Sequence, residues 1–173
     1  MIHSITEFEK LAYNAIVQLS FEQKCAYCAW CVKRLYTSYA TLLPLKLSAK
    51  QARLTTACHN HIVKAVETRT FSIKSSYKDR YTMLRIDLDF DLNFEDSEEQ
   101  AILKLAEAID ITLRFIATKN NDLVILMPLM SLQIIDTILT NEYGLDTSEI
   151  DKVIGHELLQ REFMAQLNTL RTI

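Results

Sequence analysis

The stretch RIDLDFDLNFEDSEEQ, residues 85–100, alternates apolar side chains (Ile86, Leu88, Phe90, Leu92, Phe94) with Asp87, Asp89, Asp91, Asn93 and Glu95. An acidic run of Glu95, Asp96, Glu98 and Glu99 follows it. Three structures are compatible with such a pattern: a half-buried strand, a calcium loop, or a connection docked on helices. Strict alternation favours the strand. Asp87, Asp89, Asp91 and Glu98 would stand at positions 1, 3, 5 and 12 of an EF-hand loop, but the sharp turn at position 6 needs glycine and finds Leu92.

The rest of the chain argues against a sheet. Glycine and proline occur only twice each in 173 residues. Sheet proteins need turn residues, and phosphate-cradling loops need glycines, so a largely helical chain without a P-loop or GxGxxG turn is expected. A lone strand among helices would lack a ladder partner. The expectation is therefore an all-α bundle of about seven helices forming one domain over 1–173. Residues 85–97 form one extended acidic connection within it, with apolar teeth docked on the bundle and acids facing water.

Helix starts are marked by Ser20 with Gln23, Ser48 with Gln51, and Ser97 with Gln100, all in the capping-box pattern, and more loosely by Asp146 with Glu149. The expected helices cover about 5–18, 21–42, 49–68, 76–85, 98–118, 122–142 and 148–171. The first would bury Phe8, Leu11, Ala15 and Leu19. Pro44 should stop the second, and Pro128 requires the sixth to start late or to kink. Gly144 reads as its C-terminal cap.

Apolar residues make up 49% and charged residues 24%, with a net charge of −3, which suits a soluble globular chain and gives no basic face for nucleic acid. The N-terminal MIHSITEFEK lacks the charged and apolar regions of a signal peptide, and LVILMPLM is too short to span a bilayer. A cytoplasmic location with reduced cysteines and no membrane partner is the expectation.

Cys25, Cys28 and Cys31 recur every third residue inside the second helix. Zinc sites built on CxxC normally use a turn, so these thiols and Cys58 read as core residues. A metal or redox site of Cys25, Cys28 and Cys58 with His59 or His61 is the alternative. Those histidines, two residues apart on a helix, point away from each other and cannot chelate one ion. His156 in GHELLQREF is not part of an HExxH motif, and no GxSxG elbow is present. No catalytic, cofactor-binding or metal-binding residue is assigned. Arg34, Asp110 and Glu162 are charges on largely apolar helices, so at least one Arg–carboxylate pair among them is expected to tie helices together.

Three segments carry a resemblance. YCAWCVKRLYTSY, with Tyr27, Ala29, Arg34, Leu35 and Tyr39, resembles a segment of the YjaG-like bacterial proteins of unknown function. Lys33 and Thr37 depart from the family's Glu and Pro. The AID of residues 108–110, following an acidic connection, and Glu162, Phe163 and Gln166 near the end resemble two further family segments. The resemblance implies an all-helical fold related to the immunity proteins of polymorphic toxin systems. It brings no enzymatic activity and no catalytic residue.

The expected function is accordingly a cytoplasmic immunity protein that binds a cognate toxin domain. Its contact surface would comprise Asp87, Asp89, Phe90, Asp91, Phe94, Glu95, Asp96, Glu98 and Glu99, an aromatic anchor ringed by acids that steer a basic partner. A helical scaffold, conceivably a homodimer, and a Cys/His metal enzyme are the alternatives.

Overall fold

The computed structural model describes residues 2–71, 73, 75–93, 95–145 and 150–173. These residues form an all-α fold with no strand among them. Its α-helices are α1 (Ile5–Gln18), α2 (Phe21–Tyr39), α3 (Leu43–Lys46), α4 (Ala49–Glu67), α5 (Ser75–Asp91), α6 (Ser97–Thr118), α7 (Met127–Tyr143), α8 (Ile150–Gly155) and α9 (Glu157–Thr172).

The expected caps hold at α2 and α4, where Ser20 with Gln23 and Ser48 with Gln51 each close a reciprocal capping box. At α6 the cap moves one residue. Asp96, not Ser97, has the extended backbone of an N-cap, and its carboxylate accepts the Glu99 N–H at 2.8 Å. A carboxylate is favoured over a hydroxyl there, because it also meets the positive end of the helix dipole. The pair Asp146 and Glu149 lies outside the described residues.

Both prolines open helices rather than ending them. Pro44 stands in the first turn of α3 and Pro128 in the first turn of α7, where a missing N–H breaks no intrahelical bond. Consequently α2 ends at Tyr39, followed by a 3-10 turn at Ala40–Leu42, and α7 starts late after a 3-10 segment at Asn121–Leu126. Gly144 ends α7 at φ 64°, a left-handed conformation that glycine adopts without strain. The last expected helix divides at His156, whose extended backbone and Nδ1 cap α9 by accepting the Leu158 N–H.

α1 buries Phe8, Ala12 and Ile16, not the expected stripe of Phe8, Leu11, Ala15 and Leu19. Its apolar residues are spread widely enough to permit two registers. Phe8 is common to both and stacks on Phe163 of α9 with ring centroids 4.6 Å apart, while Ala12 and Ile16 complete the buried stripe. Ile2 is pinned to the same helix, donating its N–H to Gln160 Oε1 and accepting from Gln160 Nε2 at 2.7 Å.

The largest correction concerns residues 85–91. They are the last two turns of α5, so the extended acidic connection shrinks to the short turn between α5 and α6. Tyr81, Leu84 and Leu88 are buried at helical spacing, and Arg85 bridges to Asp89 one turn later at 2.7 Å. A strand would have buried Phe90 with Leu88, two residues apart on one face. The helix turns Phe90 outward instead.

α6 is the axis of the fold. Ala101, Ile102, Leu105, Ala108, Ile109, Leu113, Phe115 and Ile116 bury most of its circumference. It packs against α2, α4, α5 and α7, as a helix apolar nearly all round must. All four cysteines are buried and free in the core around it.

Candidate partner-binding surface

The C-terminal end of α5, the first turn of α6 and the short α3 meet at one end of the molecule. Lys46 of α3 joins them. Its Nζ lies 3.2 Å from Glu98, 3.5 Å from Glu99 and 3.7 Å from Asp96. The hydrogen bond to Glu98 leads the contacts that hold the Lys46 ammonium above its ordinary pKa. The Glu99 N–H holds the Asp96 carboxyl below its own.

The expected acids therefore divide by task. Asp89 is tied to Arg85, Asp96 caps α6, and Glu99 accepts the Asn93 N–H at 2.7 Å besides meeting Lys46. Asp96 and Glu99 build the turn, while Asp89 serves within α5. Asp87, Asp91 and Glu95 are exposed and have no ion pair among the described residues, while Glu98 is exposed with Lys46 beside it. Phe94 lies outside the described residues.

Within this acidic end Phe90 is 85% exposed. Leu45 of α3, next to Lys46, is 75% exposed, and Met83, two helical turns before Phe90 on the same face of α5, is 59% exposed. Those are the three most exposed large apolar side chains among the described residues. Met83 also lines a groove of about 570 Å³ between α4 and α5, with Leu54 and Leu84 as its other apolar walls and Lys50, Arg80 and Asp87 at its edges. Leu45, Met83 and Lys46 were not singled out from the sequence. Met83 would have been found at i−7 from Phe90 had the helix been continued past Arg85.

The other charges take structural places. Arg34 Nη2 meets Glu162 Oε2 at 2.7 Å across α2 and α9. Asp110 stands apart from both. It accepts from Thr82 Oγ1 at 2.6 Å and faces Arg85 and Arg114 at 3.6 Å each. His59 stacks on Tyr36 with centroids 3.8 Å apart, and His61 stacks on Tyr77 at 5.3 Å, so the two rings serve different neighbours. Burial pushes the Cys25 and Cys58 thiols up to about 12 and raises Cys28 and Cys31 as well, which leaves all four as neutral thiols at physiological pH. Among the described residues no group of three or more His, Cys, Asp or Glu is placed to hold a metal ion.

Neither a family model, a curated protein nor a solved structure matches the chain.

Proposed function

We propose that the protein is a cytoplasmic binding protein of the immunity type, which neutralises a cognate toxin domain by covering it with the acidic end of α5 and α6. The observation that carries the binding reading is Phe90, held almost fully in water on the last turn of α5, in the same acidic end as Asp87, Asp91 and Glu95. Burying such a ring in a partner's pocket gains about 1.5–3 kcal/mol. Exposed aromatic anchors ringed by charge are how interfaces concentrate affinity and steer encounter. Met83 and Leu45 widen the apolar contact, and the unpaired acids select a basic surface. The immunity role itself rests on the segment resemblance.

Co-expression with the toxin domain encoded by the neighbouring gene tests it. Rescue of growth, a complex stable at about 1 µM, and loss of at least tenfold in affinity for Phe90→Ala are expected. Absence of both rescue and complex overturns the proposal.

A further inference from the structure

A pocket of about 210 Å³ opens where α2, α7 and α9 meet. Leu35, Ile135 and Leu158 give it one apolar residue from each helix. Arg34, Tyr39, Ser131 and Arg161 line it with hydrogen-bond donors. We propose that this pocket binds a small carboxylic acid with an apolar body. None of its residues lies in α3, α5 or α6, so the site does not rest on the proposed partner surface.

The donors are uncommitted. Thr112 and Thr137 spend their hydroxyls on the carbonyl one turn back, whereas the Ser131 hydroxyl and the Tyr39 phenol have no hydrogen-bond partner among the described residues. Arg34 Nη1 is buried without a partner as well, because Glu162 takes only Nη2. Burial, then the Glu162 charge, hold the Tyr39 phenol above its ordinary pKa against the pull of Arg34, so it stays a donor at physiological pH.

Size and charge select the ligand. Sites for drug-sized molecules hold about 300–1,000 Å³, so this pocket takes something smaller. A guanidinium fork matches a carboxylate. Glu162 already neutralises Arg34, which leaves Arg161 to meet the ligand's charge. Arg161 pairs with Glu157 one turn back on α9, but both side chains are 72% exposed. Such a pair is worth little in water and is readily exchanged. A bound carboxylate then completes a row of alternating charge: Glu162, Arg34, ligand, Arg161. Phosphate carries more charge than Arg161 can meet and leaves the apolar wall idle.

Nuclear magnetic resonance titration of the nitrogen-15-labelled chain at pH 7 and constant ionic strength tests it, with acetate, isobutyrate and benzoate as probes. Uncharged benzamide and inorganic phosphate are the controls. At least one of the three acids is expected to bind with a dissociation constant of about 1 mM or lower, shifting amides of α2, α7 and α9, and both controls at least about tenfold more weakly. Arg161→Gln and Tyr39→Phe leave the Arg34–Glu162 pair intact and should each weaken binding at least about fivefold with an otherwise unchanged spectrum. Glu157→Gln frees Arg161 and should tighten binding about twofold or more, which a merely structural Arg161 would not do. Dissociation constants above about 20 mM for all three acids overturn the proposal. So does binding indifferent to both Arg161→Gln and Tyr39→Phe, or a control that binds as tightly as the acids.

Discussion

Arg34 on α2 holds Glu162 on α9 at 2.7 Å, and Glu162 in turn accepts from Gln166 Nε2 at 2.7 Å. Gln166 completes the network by donating to the Pro128 carbonyl at 3.1 Å and accepting from Tyr27 O–H at 2.9 Å. A buried carboxylate, a buried amide and a buried phenol thus lock α2, α7 and α9 together. Arg34 remains 38% exposed, with its guanidinium 5.2 Å over the Trp30 ring. Its cost of desolvation is therefore smaller than that of Glu162.

Arg34→Ala is expected to destabilise the fold by about 3 kcal/mol, the low end for breaking a buried pair, because it strands the Glu162 charge while water can still approach the gap. Glu162→Gln in the Arg34→Ala background should recover part of that loss. Urea denaturation of the double-mutant cycle measures the coupling. A loss under about 0.5 kcal/mol for Arg34→Ala would show the pair to be merely tolerated.

Asp96 and Ser97 provide a discriminating pair. Asp96→Ala removes the acceptor for the Glu99 N–H and a partner of Lys46, and should cost about 1 kcal/mol. Ser97→Ala touches neither and should change stability by no more than about 0.5 kcal/mol. Since the Asp96 carboxyl sits below its ordinary pKa, its contribution is complete above the unfolded value near 4. It disappears as pH falls through the lower folded value.

The helix-rich fold was legible because two glycines in 173 residues leave few ways to build a sheet, and because Ser20 and Ser48 open helices with reciprocal boxes. Residues 85–91 were misread because Ile86, Leu88, Phe90 and Leu92 satisfy period 2 while Tyr81, Leu84 and Leu88 satisfy the helical period in overlapping positions. Periodicity cannot separate the two over so short a run. Only packing against α6 and the Arg85–Asp89 bridge decide it. The register of α1 was likewise hidden, since it is set by packing against α9 at the far end of the chain. Lys46 was invisible as an organiser for the same reason: its carboxylates belong to α6.

Thiol reactivity follows from burial. At pH 8 native protein should titrate fewer than about one of its four cysteines with a disulfide reagent over an hour, and all four after denaturation. The Cys25 and Cys58 thiols, at about 12, are protonated there, and burial raises Cys28 and Cys31 likewise. Rapid native labelling of two or more would show that the core around α2 opens readily.

Stability should fall as acid reaches His59. Burial lowers its pKa from 6.5, the Asn60 hydrogen bond opposes that shift, and the Lys33 charge adds to it. The unfolded chain therefore takes the proton first. The contribution of neutral His59 is complete above about pH 6.5 and declines as pH drops below that value toward the folded pKa. Thermal melts from pH 7 to 5 should show the decline, and His59→Gln should flatten it. An identical profile in the variant would assign the decline to other groups.

Leu88 and Phe90 carry the sharpest test of the α5 assignment, because a helix and a strand give opposite answers. In an extended segment the two side chains share a face, and both truncations would cost alike. On the helix Leu88 is 1% exposed and Phe90 is 85% exposed. Leu88→Ala should then cost about 2–5 kcal/mol, the range for emptying a leucine site in a packed core. Phe90→Ala should stay within about 0.5 kcal/mol, or gain slightly from alanine's higher helix propensity. Guanidinium denaturation of the two variants separates the cases. Comparable losses for both would return residues 85–91 to a docked extended chain. They would also remove Phe90 as a free anchor, and with it the observation on which partner binding rests.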